Sequence, residues 1–167
     1  MSSIIGLRRN PRGASLVTSV PARGPGAGKI FNRLRDHLEA HAMAEEKYFY
    51  PTLLQLGKGA LDSDSADETT EDAIDDHNKI ANAADAALNE EVGSDAWWKC
   101  VDKANYQNSA HLSEEERQGL TDFRRRVPLE KRIALGIKYL AFEADHVTNV
   151  EREEKDPDAY IEENEAA

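Results

Sequence analysis

Cysteine is nearly absent. Cys100 is the only one in 167 residues, which excludes an internal disulfide framework and any multi-thiolate zinc or iron–sulfur site, and points to a reducing compartment. Long apolar runs are missing too. Nothing approaches the roughly 18 residues of a membrane span, and Ile4 to Leu7 is too short for a signal-peptide core. A soluble, cytoplasmic protein without a membrane partner is expected. Leu, Ile, Val and Phe together supply only about a fifth of the chain, so the core must be thin, and abundant alanine favours building it from helices. Positive charge is scarce as well. Lys and Arg number 21 against 32 Asp and Glu, a formal −11, so a nucleic-acid duplex would meet net repulsion.

That charge is unevenly spread. Arg8, Arg9, Arg12, Arg23 and Lys29 lie in a stretch with no acid, leaving 16 bases against 32 acids, or −16, in the other 137 residues. Residues 1–28 also carry Pro11, Pro21, Pro25 and five glycines. They show no sustained period, and read as an irregular or disordered basic segment with one strand candidate, Leu16–Val20. The Gly-rich stretch ending at Gly28-Lys29 is no phosphate loop, because Arg23 and Ile30 stand where Gly and Ser or Thr are required.

From Lys29 the pattern becomes helical. Phe31, Leu34, Leu38, His41, Glu45 and Tyr48 form one stripe, with a kink expected at Pro51 and a stop at Gly57. Asp67 to Glu91 gives a second helix with the stripe Ile74, His77, Ala81, Ala84 and Leu88. Asp95 to about Arg125 gives a third, with Trp97, Val101, Ala104, Asn108, His111 and Glu115. Pro128 then precedes Leu129 to Val150, where Ile133, Ile137, Leu140, Ala144 and Val147 mark an inward face. Four helices with short loops predict an all-α antiparallel four-helix bundle over residues 29–150, followed by an acidic tail, 151–167, that frays.

The chemistry lies where polar residues interrupt those stripes. His41 and Glu45 in the first helix, and His111 and Glu115 in the third, are each spaced i, i+4, so each pair shares a face one turn apart. His77 occupies an inner position of the second helix. Two inward carboxylates require compensation by a base, a proton or a cation, and no inward Arg or Lys stands beside them in sequence. A metal is the economical answer: mixed imidazole and carboxylate ligands without thiolate suit iron or manganese, and also zinc. Glu46 and Glu116 lie off the stripes. His37, one turn before His41, and the Glu143/His146 pair of the last helix are subsidiary ligand candidates.

The stretch His41-Ala-Met-Ala-Glu45-Glu46-Lys-Tyr-Phe-Tyr-Pro51, then Asp76-His77-Asn78, then His111-Leu-Ser-Glu-Glu115 resembles the hemerythrin-like (HHE cation-binding) domain over about residues 29 to 126. The resemblance implies a helical bundle around a non-haem di-iron centre, oxo- or hydroxo-bridged. His41, His77 and His111 would be ligands, and Glu45 and Glu115 bridging ligands. It also implies a small partner such as dioxygen, peroxide or nitric oxide, bound or sensed at the iron; the alternatives are an enzyme that consumes peroxide at the same centre and a metal-free helical interaction or regulatory protein. The family pattern normally begins with a further helix bearing a His ligand, whereas residues 1–28 contain no histidine.

Overall fold

A computed structural model describes residues 25–60 and 64–165. Its elements are α1 (Pro25–Ala44), a π turn (Glu45–Phe49), α2 (Tyr50–Leu56), α3 (Ala66–Leu88), α4 (Asp95–Arg117), α5 (Gly119–Arg126), α6 (Leu129–Asp145) and α7 (Pro157–Glu165). The chain forms the expected all-α bundle, with no strand among the described residues. The strand candidate Leu16–Val20 lies outside them. Among the described residues no helix is long and apolar enough to cross a membrane.

Local chemistry explains most of the boundaries. α1 begins at Pro25 rather than Lys29, since the fixed φ of proline suits a first helical position. The expected kink at Pro51 takes the form of a widened turn. Pro51 has no N–H for the Lys47 carbonyl, and just before it the Tyr50 N–H reaches back five residues to the Glu45 carbonyl. α2 stops at Gly57. The loop that follows is held by Asp122, which is fully buried and accepts the N–H groups of Lys58 at 2.7 Å and Gly59 at 2.9 Å. Gly59 has φ +81°, a conformation that side chains disfavour.

α3 starts with a capping box: Ser65 accepts the Glu68 N–H and the Glu68 carboxylate accepts the Ser65 N–H. Ser94 caps α4 through the Trp97 N–H. The expected third helix is split at Gln118. A Cβ on the adjacent Gly119 would lie 3.3 Å from the Phe49 ring, so glycine lets α5 close against that ring.

α3 and α4 form the most extensive pairing, α1 packs on α3, and α2 packs on α3, α5 and α7. Two core clusters result. One is aromatic, including Phe49, Tyr50, Leu53, Ile74, Phe123 and Tyr160. The other joins Phe31 and Trp97 to Ala83, Ala84, Ala87 and Ala104. Along α1, α3 and α4 alike, the inward His and Glu residues fall between the residues of one cluster and those of the other.

Two expectations about the C-terminal third need correction. The stripe of the last helix does not face inward: Ile133 is 56% exposed, Ile137 65% and Leu140 66%, and α6 has no buried residue. A different face, carrying Leu135, Tyr139, Phe142 and Glu143, meets α1 and the π turn. Its polar groups find partners there, which an apolar face could not provide. α6 also ends at Asp145, short of Val150. The segment after 151 does not fray throughout, because Pro157–Glu165 forms α7, with Tyr160 buried against the aromatic cluster and its hydroxyl donating to the Glu46 carbonyl.

Candidate metal centre

Glu45 is the hub. Widening of the helix at the π turn, a feature concentrated at functional sites, brings its buried carboxylate among three imidazoles. His41 Nε2 is 2.9 Å from Oε1, His77 Nε2 is 3.1 Å from Oε2, and His111 Nε2 is 3.8 Å from Oε2. The Nε2 atoms of His77 and His111 are 3.2 Å apart. Glu45, His77 and His111 are all buried, and their ligand atoms lie within 4.8 Å of one another. Glu115, also buried, lines one cavity together with His41 and Glu45. All five residues marked by the helical spacing therefore converge on one place, with α1 and the π turn, α3 and α4 each contributing.

The other ring nitrogens are held by further carboxylates. Glu46 Oε1 is 2.8 Å from His77 Nδ1, and Glu143 of α6 is 2.9 Å from His41 Nδ1. A carboxylate behind the imidazole fixes the tautomer and raises its basicity as a ligand, the usual support for metal-binding histidine. Glu46 in turn pairs with Lys155. Expected to be solvated or supporting, it is nearly buried and supports His77, whereas Glu116 is exposed. His37 is exposed. His146 stacks on Phe142 and bonds to that residue's carbonyl, so neither histidine joins the five donors.

The protonation pattern tests whether these residues suit a cation. Burial opposes the charged form of His77, but hydrogen bonds to Glu45 and Glu46 outweigh it and raise its pKa to about 9. His41 is likewise raised to about 9 against its burial, by Glu45 and Glu143. Burial also opposes ionisation of Glu45, yet its imidazole partners hold its carboxyl well below the ordinary range. Burial and the Glu45 charge push Glu115 up to about 8. Without a cation, protons supply the positive charge that the carboxylates demand. The Tyr50 hydroxyl is buried with no hydrogen-bond partner among the described residues, and Tyr50, His111 and Glu115 line one small cavity. Three imidazoles and two carboxylates with displaceable protons are a donor set that fits a metal ion.

Nothing in the sequence spacing marks Tyr139 or Lys155. The Tyr139 hydroxyl is 2.6 Å from His41 Nδ1 and 3.5 Å from Glu45 Oε1. A cavity of about 410 Å³ leads to the centre; Tyr139, His41, Glu45, Glu115, Glu116 and Arg132 are among its polar lining, and Phe49 and Phe123 among its apolar residues.

Searches of curated proteins and of solved structures give no match. The sequence pattern of the hemerythrin HHE cation binding domain matches residues 14–123, beginning before the expected residue 29 and so reaching into the basic N-terminal segment. The match takes in all five convergent donors and covers well over half of the chain, and the protein therefore belongs to the hemerythrin HHE cation-binding domain family.

Proposed function

We propose that this centre binds non-haem iron, as a pair of ions, and uses it to bind or sense dioxygen or a related small oxidant such as peroxide or nitric oxide, in the cytoplasm. The observation that carries the reading is the convergence of three imidazoles and two carboxylates, with no thiolate, beside a cavity whose walls include Phe49, Leu120 and Phe123. Such a mixed nitrogen and oxygen set suits iron. Glu45 and Glu115 come from different elements and line the same cavity, so carboxylates from two sides of the bundle would be available to hold more than one cation. Bound iron would offer an open position to a small ligand and exchange electrons with it.

The protein's own groups have distinct tasks. His41, His77 and His111 present ring nitrogens, and Glu45 and Glu115 supply the compensating negative charge. Glu46 and Glu143 hold two of the rings in orientation from behind. Phe49 and Phe123 give the cavity apolar surface against which a small molecule can pack beside the donors.

The test is metal content and absorption of protein produced with iron. About two irons per chain would support the reading, as would charge-transfer bands that change when dioxygen, peroxide or nitric oxide is added. Folded protein that takes up no iron would overturn it.

A further inference from the structure

One side of the centre is closed by an element beyond the family match. α6 lies outside residues 14–123 and packs on α1 and the π turn, the two segments that carry His41 and Glu45. It brings one further oxygen donor to the donor cluster. The Tyr139 hydroxyl lies 2.6 Å from His41 Nδ1, 3.4 Å from His41 Nε2 and 3.5 Å from Glu45 Oε1. Its ring meets the His41 ring edge to face at 5.6 Å. It lines the same cavity as His41, Glu45 and Glu115.

Three features make this placement more than packing. α6 turns Ile133, Ile137 and Leu140 to solvent while the face with Tyr139 and Glu143 meets the donors, so the helix is oriented by its polar contacts and not by its apolar stripe. Phenolate is a hard oxygen donor that suits ferric iron, and the centre otherwise has only two carboxylates as oxygen ligands. Glu143, 2.9 Å from the same His41 nitrogen, stands beside the phenol, so α6 presents two oxygen-bearing side chains to one ring.

The geometry points to Tyr139 as a further protein ligand of the metal centre, supplied from the C-terminal side. This inference rests on the iron reading above. On binding, the phenol oxygen forms the bond to the cation and releases its proton to solvent, with no change of oxidation state.

Ferric iron added to the full chain is expected to produce a visible tyrosinate-to-iron charge-transfer band, with tyrosinate ring modes enhanced in the Raman spectrum excited within it. Tyr139→Phe should abolish both while iron still binds, about tenfold more weakly; Tyr50→Phe, altering the other tyrosine beside the donors, should leave both in place. Iron bound without such a band would overturn the assignment while sparing the iron reading. A band lost in Tyr50→Phe and kept in Tyr139→Phe would do the same. A folded chain that binds no iron, with melting behaviour intact, would instead overturn both.

Discussion

The bundle from α1 to α5 and the C-terminal pair α6 and α7 solve opposite problems. The first region buries its apolar residues in two clusters and sets its donors, Glu45, His77, His111 and Glu115, in the gap between them. The second contributes little core. α6 buries nothing fully, leaves Leu129, Ile133, Ile137 and Leu140 exposed, and turns Tyr139 and Glu143 toward His41. Lys155, between the two helices, neutralises Glu46 behind His77. The first region supplies the imidazoles and the two carboxylates, and the second sets their orientation and charge and brings Tyr139 beside them. A binding site and its supporting layer can thus be drawn from different parts of one chain, and only the first lies within the family's shared pattern.

The largest expected effect separates the regions directly. Glu45→Gln removes the carboxylate that faces all three imidazoles. It should weaken cation binding by more than about 100-fold, beyond the range seen for supporting residues, as read by equilibrium metal titration. Glu143→Gln, in the second region, should weaken binding by about 10- to 100-fold while the same number of ions binds at saturation. A loss equal to that of Glu45→Gln would erase the distinction between ligand and support.

Acidity gives the next contrast. His41 and His77 are raised from 6.5 to about 9 in the folded protein. The stability they confer on the metal-free chain is therefore complete below pH 6.5 and is lost as pH climbs through about 9. Glu115, raised from 4.5 to about 8, acts in the same direction. The melting temperature of chelator-treated protein should fall across that interval, and cation affinity should rise, because the ligands must shed those protons. A flat melting profile between pH 6.5 and 9 would contradict the pairing.

The smallest effect falls on the exposed stripe. Ile137→Ser or Leu140→Ser should change stability by no more than about 0.5 kcal/mol in denaturant unfolding, since neither side chain is buried. A loss of several kcal/mol would mean that this face is covered.

The same two regions differ in how far the sequence reveals them. In α1, α3 and α4, apolar residues at helical spacing flank the inward polar ones, so periodicity alone locates His41, Glu45, His77, His111 and Glu115 on facing sides of a bundle. In α6 the same rule points to the wrong face. Spacing shows that Ile133, Ile137 and Leu140 share a side, but not what that side meets. The orientation is decided by bonds from Tyr139 and Glu143 to His41, a residue about 100 positions away in the chain. Lys155 lies in a segment with no period at all. The π turn was legible only as a proline kink, although it brings Glu45 and Glu46 onto opposite nitrogens of one imidazole.

The most direct test of the central claim is equilibrium ferrous-iron binding to the wild type, Glu45→Gln and Glu143→Gln, each first shown to be folded by its melting curve. The account predicts saturable binding in the wild type, binding near background in Glu45→Gln, and full stoichiometry at lower affinity in Glu143→Gln. Iron uptake by Glu45→Gln equal to that of the wild type would contradict it.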